Sequence, residues 1–316
     1  MRNSTKLILL SVATLAIIAL FLGKGLDAYN YRFFLSRRIP KVLAILLAAT
    51  AISWSSLVFQ TVTNNRILTP SILGFDSLYV MIQVLLVVLA GSLSPLVIQP
   101  MLNFSVTTAI MAGLSLSLFA WYFYGKQRDL FSLLLIGIIC SSLFSSVTGF
   151  FTMVIDPSEF MAIQASMFAS FNNVNGALVY WAIAPMLLCL ALLLKLAPKL
   201  DVLWLGPDNA TSLGINVRKL TLQIMALVSV LISVATALVG PVLFFGLIVV
   251  SLTRQLFNSY QHRLLLPASS ALAAFLLLTG QWIVENLMAF ETTISVIINF
   301  VGGSYFLLLL ARNKVN

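Results

Sequence analysis

Side chains able to make or break bonds are scarce in this sequence. It holds one histidine, His262, and two cysteines, Cys140 and Cys189. His262 lies in a basic stretch, so a Ser–His–Asp relay is not expected of it, and a structural or interfacial role is the plainer reading. One His and two separated Cys make no metal cage. Both Cys fall inside apolar runs, which argues against a disulfide framework. No G-x-x-x-x-G-K-[ST] occurs, so nucleotide cannot be held by a P-loop. No catalytic residue, cofactor or metal is expected, and enzyme function has little to stand on.

Two other stretches carry polarity in a suggestive pattern. The first is Ile139-Cys140-Ser141-Ser142-Leu143-Phe144-Ser145-Ser146-Val147-Thr148-Gly149. On a helix, Ser141 and Ser145 share one face and Ser142 and Ser146 another. Gly137, Ser141 and Ser145 recur every four residues, a spacing that lets helices approach closely. This reads either as a packing seam or as the wall of a path for a bulky polar solute, and adjacent faces allow both. Ser53, Ser55, Ser56 and Gln60 form a weaker stripe of the same kind.

The second stretch, 203–219, interrupts the apolar runs and reads as one short helix punctuated at both ends. Gly206 fits the N-cap and Pro207 the first helical residue, where its missing N–H costs nothing. Asp208 then sits in the first turn, where a negative charge suits the dipole. Gly214 fits the position just past the C-terminus. Lys195, Lys199, Arg218 and Lys219 flank the stretch and mark a cytoplasmic loop. A structured helix there reads as a docking knob for a soluble partner, against the alternative of a loop helix resting on the bilayer.

The elements around these stretches follow from composition. The 316 residues are 60% hydrophobic and 9% charged, with mean hydropathy +1.05. A soluble domain cannot hide that much apolar surface, so an all-α polytopic membrane protein is expected, as a single transmembrane domain over 1–316. At about 20 residues per span, runs near 7–23, 40–61, 77–98, 101–124, 130–152, 177–196, 219–239, 242–256, 264–283 and 293–311 give about ten helices. The first has Arg2 and Lys6 before it and no A-x-A-like site after it, so it reads as a span and not a cleaved signal. Gly240-Pro241 reads as a hinge at a membrane surface. The middle of 156–175, from 159 to 171, reads as a helix lying at the outer interface.

Charge fixes orientation. Of the eighteen Lys and Arg, all but Lys24, Arg32, Arg37, Arg38 and Lys41 fall on one side if the N-terminus is inside, which is the arrangement the positive-inside rule favours. The net charge of +9 thus reads as orientation and contact with membrane lipid, not nucleic acid. The five outer positives cluster in 24–41, against the rule, and suggest an acidic partner outside or headgroup contact. The proposed span interiors hold no charged residue; Asp76 is placed near an inner end and Glu285 near an outer end. Absence of a mid-membrane ionisable group argues against an ion-coupled carrier working alone, which is the alternative reading.

Four stretches in order give the chain a family resemblance. They are Arg38-Ile39-Pro40-Lys41, then Gln60 to Gly74 with Asn65, Pro70 and Leu73-Gly74, then Leu205-Gly206 to Leu213-Gly214. The fourth is the run from Gly240 to Val250 followed by His262-Arg263 and Leu266-Pro267. The sequence resembles the permease subunits of iron–siderophore and vitamin B12 ABC importers, the FecCD/BtuC-type family. That resemblance implies a type II ABC importer permease with ten helices, paired with a second, homologous or identical permease subunit. It implies two cytoplasmic ABC ATPase subunits and a periplasmic or lipid-anchored siderophore-binding protein, in the bacterial inner (plasma) membrane. Leu205, Gly206, Pro207, Asp208, Ala210, Leu213 and Gly214 would then couple to the ATPase. Arg38 and Lys41 would dock the binding protein, and Ser141, Ser142, Ser145 and Ser146 would border the translocation path. The sequence departs from the family pattern at Lys41, a point charge where a forked guanidinium is usual, at Pro207 and at Val250-Ser251.

Overall fold

The computed structural model describes residues 3–27, 29–124, 130–172 and 174–313. Among them every regular element is helical: α1 (Asn3–Gly23), α2 (Tyr31–Val62), a 3-10 turn (Pro70–Leu73), α3 (Phe75–Ala90), α4 (Pro95–Ile98), α5 (Pro100–Tyr124), α6 (Leu130–Thr152), α7 (Pro157–Ser166), α8 (Gly176–Leu203), α9 (Pro207–Ser212), α10 (Val217–Val239), α11 (Phe245–Leu256), α12 (His262–Asn286) and α13 (Ile294–Asn313). Seven are long and apolar enough to cross a bilayer, and the apolar helices α3, α11 and α13 bring the bundle to the expected ten.

The bundle is built around α2. Its residues from Ala48 to Val62 are buried save Thr50, and Ala44, Ala48, Ala49, Ala51, Ser53 and Ser55 have no exposed surface at all. Small side chains let α8, α10, α11 and α12 close on it, the packing expected where lipid supplies no hydrophobic drive and van der Waals contact decides. The weak polar stripe at Ser53, Ser55, Ser56 and Gln60 is therefore interior. With 32 residues, α2 is about 48 Å long at 1.5 Å per residue, well over a core of about 30 Å. Its N-terminal end carries Arg32, Arg37 and Arg38. By contrast α1 is peripheral. Only Thr14 and Phe21 are buried, and Thr14 Oγ1 reaches the Ala271 carbonyl of α12 at 3.1 Å.

Two elements fall short of the membrane thickness. The 12 residues of α11 reach about 18 Å and the 16 of α3 about 24 Å. Each is preceded by irregular backbone that runs into the bundle: the 3-10 turn with Gly74 at φ 88°, and 240–244 with Gly240 at φ 91° and Phe244 at φ 46°. Such backbone is tolerated at membrane depth only when protein covers it, and Pro70, Leu73, Gly240, Pro241 and Val242 are all buried.

Three sequence expectations are corrected here. The span expected at 77–98 stops at Ala90, because Gly91 takes φ 86° and Pro95 starts a separate turn that leads into α5. Gly240-Pro241 is not a surface hinge: a Cβ on Gly240 would lie 2.9 Å from Ala169 Cα, and Ser170 N–H donates to the Val239 carbonyl at 2.9 Å. The helix expected from 159 to 171 ends at Ser166, and the chain then dives inward, with Ala169 and Phe171 fully buried.

Candidate functional site at the two faces of the bundle

The short helix α9 forms as its punctuation dictates. Gly206 is the N-cap at φ 103°, Pro207 opens the helix and Asp208 lies in its first turn. At the other end Gly214 takes φ 83°, its N–H donates to the Thr211 carbonyl at 2.9 Å, and Ile215 N–H donates to the Ala210 carbonyl at 3.0 Å. These bonds satisfy the last-turn acceptors and stop the helix. Only Ala210 is buried, pinning α9 to the ends of α8 and α10. Leu205 and Leu213, one on each side, are 59% and 64% exposed. The capped turn thus holds two large apolar side chains out from the bundle end.

Beside α9 lies a feature the sequence reading missed. Trp204, just after α8, has Arg254 of α11 over its ring at 4.2 Å and Arg66 of the α2–α3 connection at 5.6 Å. Arg254 Nε and Nη2 are buried with no hydrogen-bond partner. Both arginines were visible as cytoplasmic charge, but nothing in the spacing of residues 66, 204 and 254 announces that they meet.

His262 also meets partners from afar. It opens α12 and is 1% exposed. Its Nδ1–H donates to Asp201 Oδ1 at 2.6 Å and its backbone N–H to the same oxygen at 2.7 Å; Nε2 shares a hydrogen bond of 2.8 Å with Thr61 Oγ1. Hydroxyl, imidazole and carboxylate thus stand in relay order, which the sequence reading did not expect. Burial removes the catalytic meaning. Thr61 is 1% exposed and donates its hydroxyl proton to the Leu57 carbonyl at 3.0 Å. The three residues bolt α2, α8 and α12 together.

At the opposite face the two predicted docking residues part company. Lys41 Nζ lies 2.8 Å from Glu285, and both side chains are largely covered, at 15% and 18% exposure. Gln281 Nε2 donates to the same Glu285 oxygen at 2.8 Å and to Asn172 at 2.8 Å. Lys41 is thus engaged inside the bundle. Arg38 Nη1 donates to the carbonyls of Leu22 and Lys24 at 3.0 and 2.6 Å, which ties α1 to α2. Its neighbours Arg32 and Arg37 are exposed, Arg37 packed over the Phe33 ring at 4.9 Å. Ser36, Arg37, Arg38, Lys41 and Asn172 share the lining of an outer recess of about 410 Å³.

The serine stretch divides by face. Ser141 and Ser145 turn to α3, each within hydrogen-bond reach of Ser77 Oγ, at 2.9 and 3.3 Å. A Cβ on Gly137 would lie 2.8 Å from Leu73 Cα, so this face is the packing seam. Ser145 lies at the open edge of that seam and is itself exposed, as are Ser142 and Ser146 on the other face.

Comparison with known proteins agrees with this geometry. The model of the FecCD transport family matches residues 5–312. The chain belongs to the FecCD transport family. It is 45% identical to the petrobactin import system permease protein YclO of Bacillus subtilis, over 99% of both chains. It is 34% identical to the petrobactin import system permease protein FatC of Bacillus anthracis, over 92% of this chain and 82% of that one. A solved structure described as an inward-facing conformation of a metal-chelate type ABC transporter superposes with TM-score 0.84 at 24% identity, over 98% of this chain and 99% of the other. The fold is that of an ABC importer permease, and this FecCD member is a multi-pass transport protein of a family of permeases, not of enzymes.

Proposed function

We propose that this FecCD member is the permease subunit of an ATP-driven importer that carries a ferric siderophore of the petrobactin class across the bacterial plasma membrane. The cargo reading rests on the similarity to two petrobactin permeases, over 99% of one and 82% of the other. The observation that carries the mechanism is α9: a rigid, capped turn that holds Leu205 and Leu213 out from the bundle end. In this reading Leu205, Gly206, Pro207, Asp208, Ala210, Leu213 and Gly214 form the knob on which a cytoplasmic ATPase subunit pulls. Ala210 anchors the knob to α8 and α10, so movement of the ATPase passes into both spans. A second permease subunit faces the exposed side of α6, and Ser142 and Ser146 border the path between the two. Their hydroxyls are neutral, so the wall neither repels nor retains a polar iron chelate. Affinity resides in a separate siderophore-binding protein, which docks on the outer arginines. Here the geometry favours Arg37 with Arg38; Lys41, neutralised by Glu285, positions the rim.

Excision of Pro207 to Leu213 tests the coupling role. The shortened chain is expected to insert and assemble but to uncouple ATP hydrolysis from uptake of radiolabelled ferric petrobactin. Normal uptake by a well-expressed deletion would remove α9 from the mechanism. Uptake by the purified chain alone in vesicles, driven by an ion gradient without an ATPase, would replace the reading with a secondary carrier.

A further inference from the structure

Asp76 is the charged residue that the sequence reading placed near an inner membrane end. The structure sinks it into the bundle. It sits in the first turn of α3 and is 8% exposed. Its neighbours Gly74 and Ser77 both touch Ser141, which lies midway along α6. Oδ2 of Asp76 is buried and has no hydrogen-bond partner.

That oxygen belongs to a residue lining a small cavity of about 10 Å³, room for one water-sized body. Ser56, Thr69, Ser71 and Thr236 line it as well, and so does Phe244 at the start of α11. No Lys, Arg or His is among the residues around it. A buried carboxylate needs a counter-charge or a proton. The N-terminus of α3 offers only about half an elementary charge. Ser71 offers the carboxyl a side-chain hydrogen bond, but Oδ2 is left without one, so a proton on Oδ2 has no acceptor in bonding geometry. A small cation in the cavity meets both demands, because it supplies a whole charge and bonds oxygens that hydrogen-bond geometry leaves apart.

We propose that a sodium-sized monovalent cation binds inside the bundle, held by Asp76 among the hydroxyl residues Ser56, Thr69, Ser71 and Thr236, where the start of α3 meets the break between α10 and α11. One carboxylate balances one charge, whereas calcium-type sites gather six to eight oxygens with several carboxylates. Among the described residues no group of three or more His, Cys, Asp or Glu is assembled anywhere. Thr69 and Ser71 stand on the irregular backbone before α3, the kind of unwound segment that coordinates monovalent ions within membrane bundles. The bound ion clamps the two broken elements to α2.

The test is thermal unfolding of the full chain in lipid nanodiscs, in sodium chloride against choline chloride at equal ionic strength, with potassium chloride as the size comparison, from neutral to alkaline pH. The unfolding temperature is expected to rise saturably by several degrees with sodium and less with potassium. Asp76→Asn should unfold at one temperature in all three salts. Should that variant fail to fold, Thr69→Val and Ser71→Ala supply the same information, each raising the half-saturating sodium concentration at least about tenfold. Coincident curves in sodium and choline would overturn the proposal, as would a sodium response kept by Asp76→Asn. Stability that follows pH identically in every salt would assign the site to a proton and overturn it too.

Discussion

His262 shows how far one side chain can be read from sequence. Its type, and its isolation from other metal ligands, excluded a metal cage, and the structural reading assigned to it holds. Its partners could not be read, because Thr61 and Asp201 lie 201 and 61 residues away, and only tertiary packing brings them together. The consequence is measurable. His262→Ala leaves Asp201 and Thr61 facing a gap, and removes the imidazole's hydrogen bond to a carboxylate, worth about 1.5–3 kcal/mol, together with its bond to Thr61. Thermal unfolding in detergent should show a loss of about 2–4 kcal/mol, in the range of a broken buried network. A change within error would mean that the bolt is redundant. Asp76 and Trp204 were missed for the same reason. Hydropathy locates a residue along its helix, but not which irregular segment folds back over it.

Elements were easier to read than residues. The short helix α9 matched at both caps, because capping depends on neighbours in sequence. The irregular backbone was not legible. The 3-10 turn and the 240–244 segment are non-helical at depth because other helices cover them, which is a tertiary cause. Glycines at helix contacts make a direct test. Gly137→Ala forces a Cβ to 2.8 Å from the Leu73 backbone, and should cost about 1–3 kcal/mol through overpacking. Gly149→Ala, on the same helix, meets nothing within 4 Å and should be neutral or stabilising by up to about 1 kcal/mol. Unfolding temperatures of the pair in one lipid mixture check this. Equal responses would mean that α6 does not press on the 3-10 turn.

At the scale of the molecule, composition alone separated membrane from soluble classes, and the cationic residues suggested an orientation. The count of ten followed from dividing apolar length by membrane thickness, and it holds even though α3 and α11 are short, because each still forms its own apolar run. What the whole chain presents outward is a different matter. Arg38 and Lys41 carry the motif, yet Lys41 is paired with Glu285, whereas Arg38 bonds neutral backbone carbonyls and Arg37 beside it stays exposed. Arg37→Glu with Arg38→Glu should therefore weaken capture of the loaded binding protein by at least about tenfold at low salt, the deficit shrinking as ionic strength rises. Lys41→Met should instead lower stability and leave capture nearly unchanged. Binding measured by surface resonance on nanodisc-held importer distinguishes the two, and a larger capture defect from Lys41→Met would restore it to the docking surface.

The contact between Lys41 and Glu285 spans 244 positions of chain, and that separation sets a condition on biogenesis. A ribosome working at about 5–20 residues per second delivers Glu285 roughly 10–50 s after Lys41. Through that interval, in the proposed orientation with the N-terminus inside, α2 carries an unneutralised cation at its exported end. Its topology is then held by the charges retained on the other side, and the late-arriving carboxylate locks an orientation that has already been chosen.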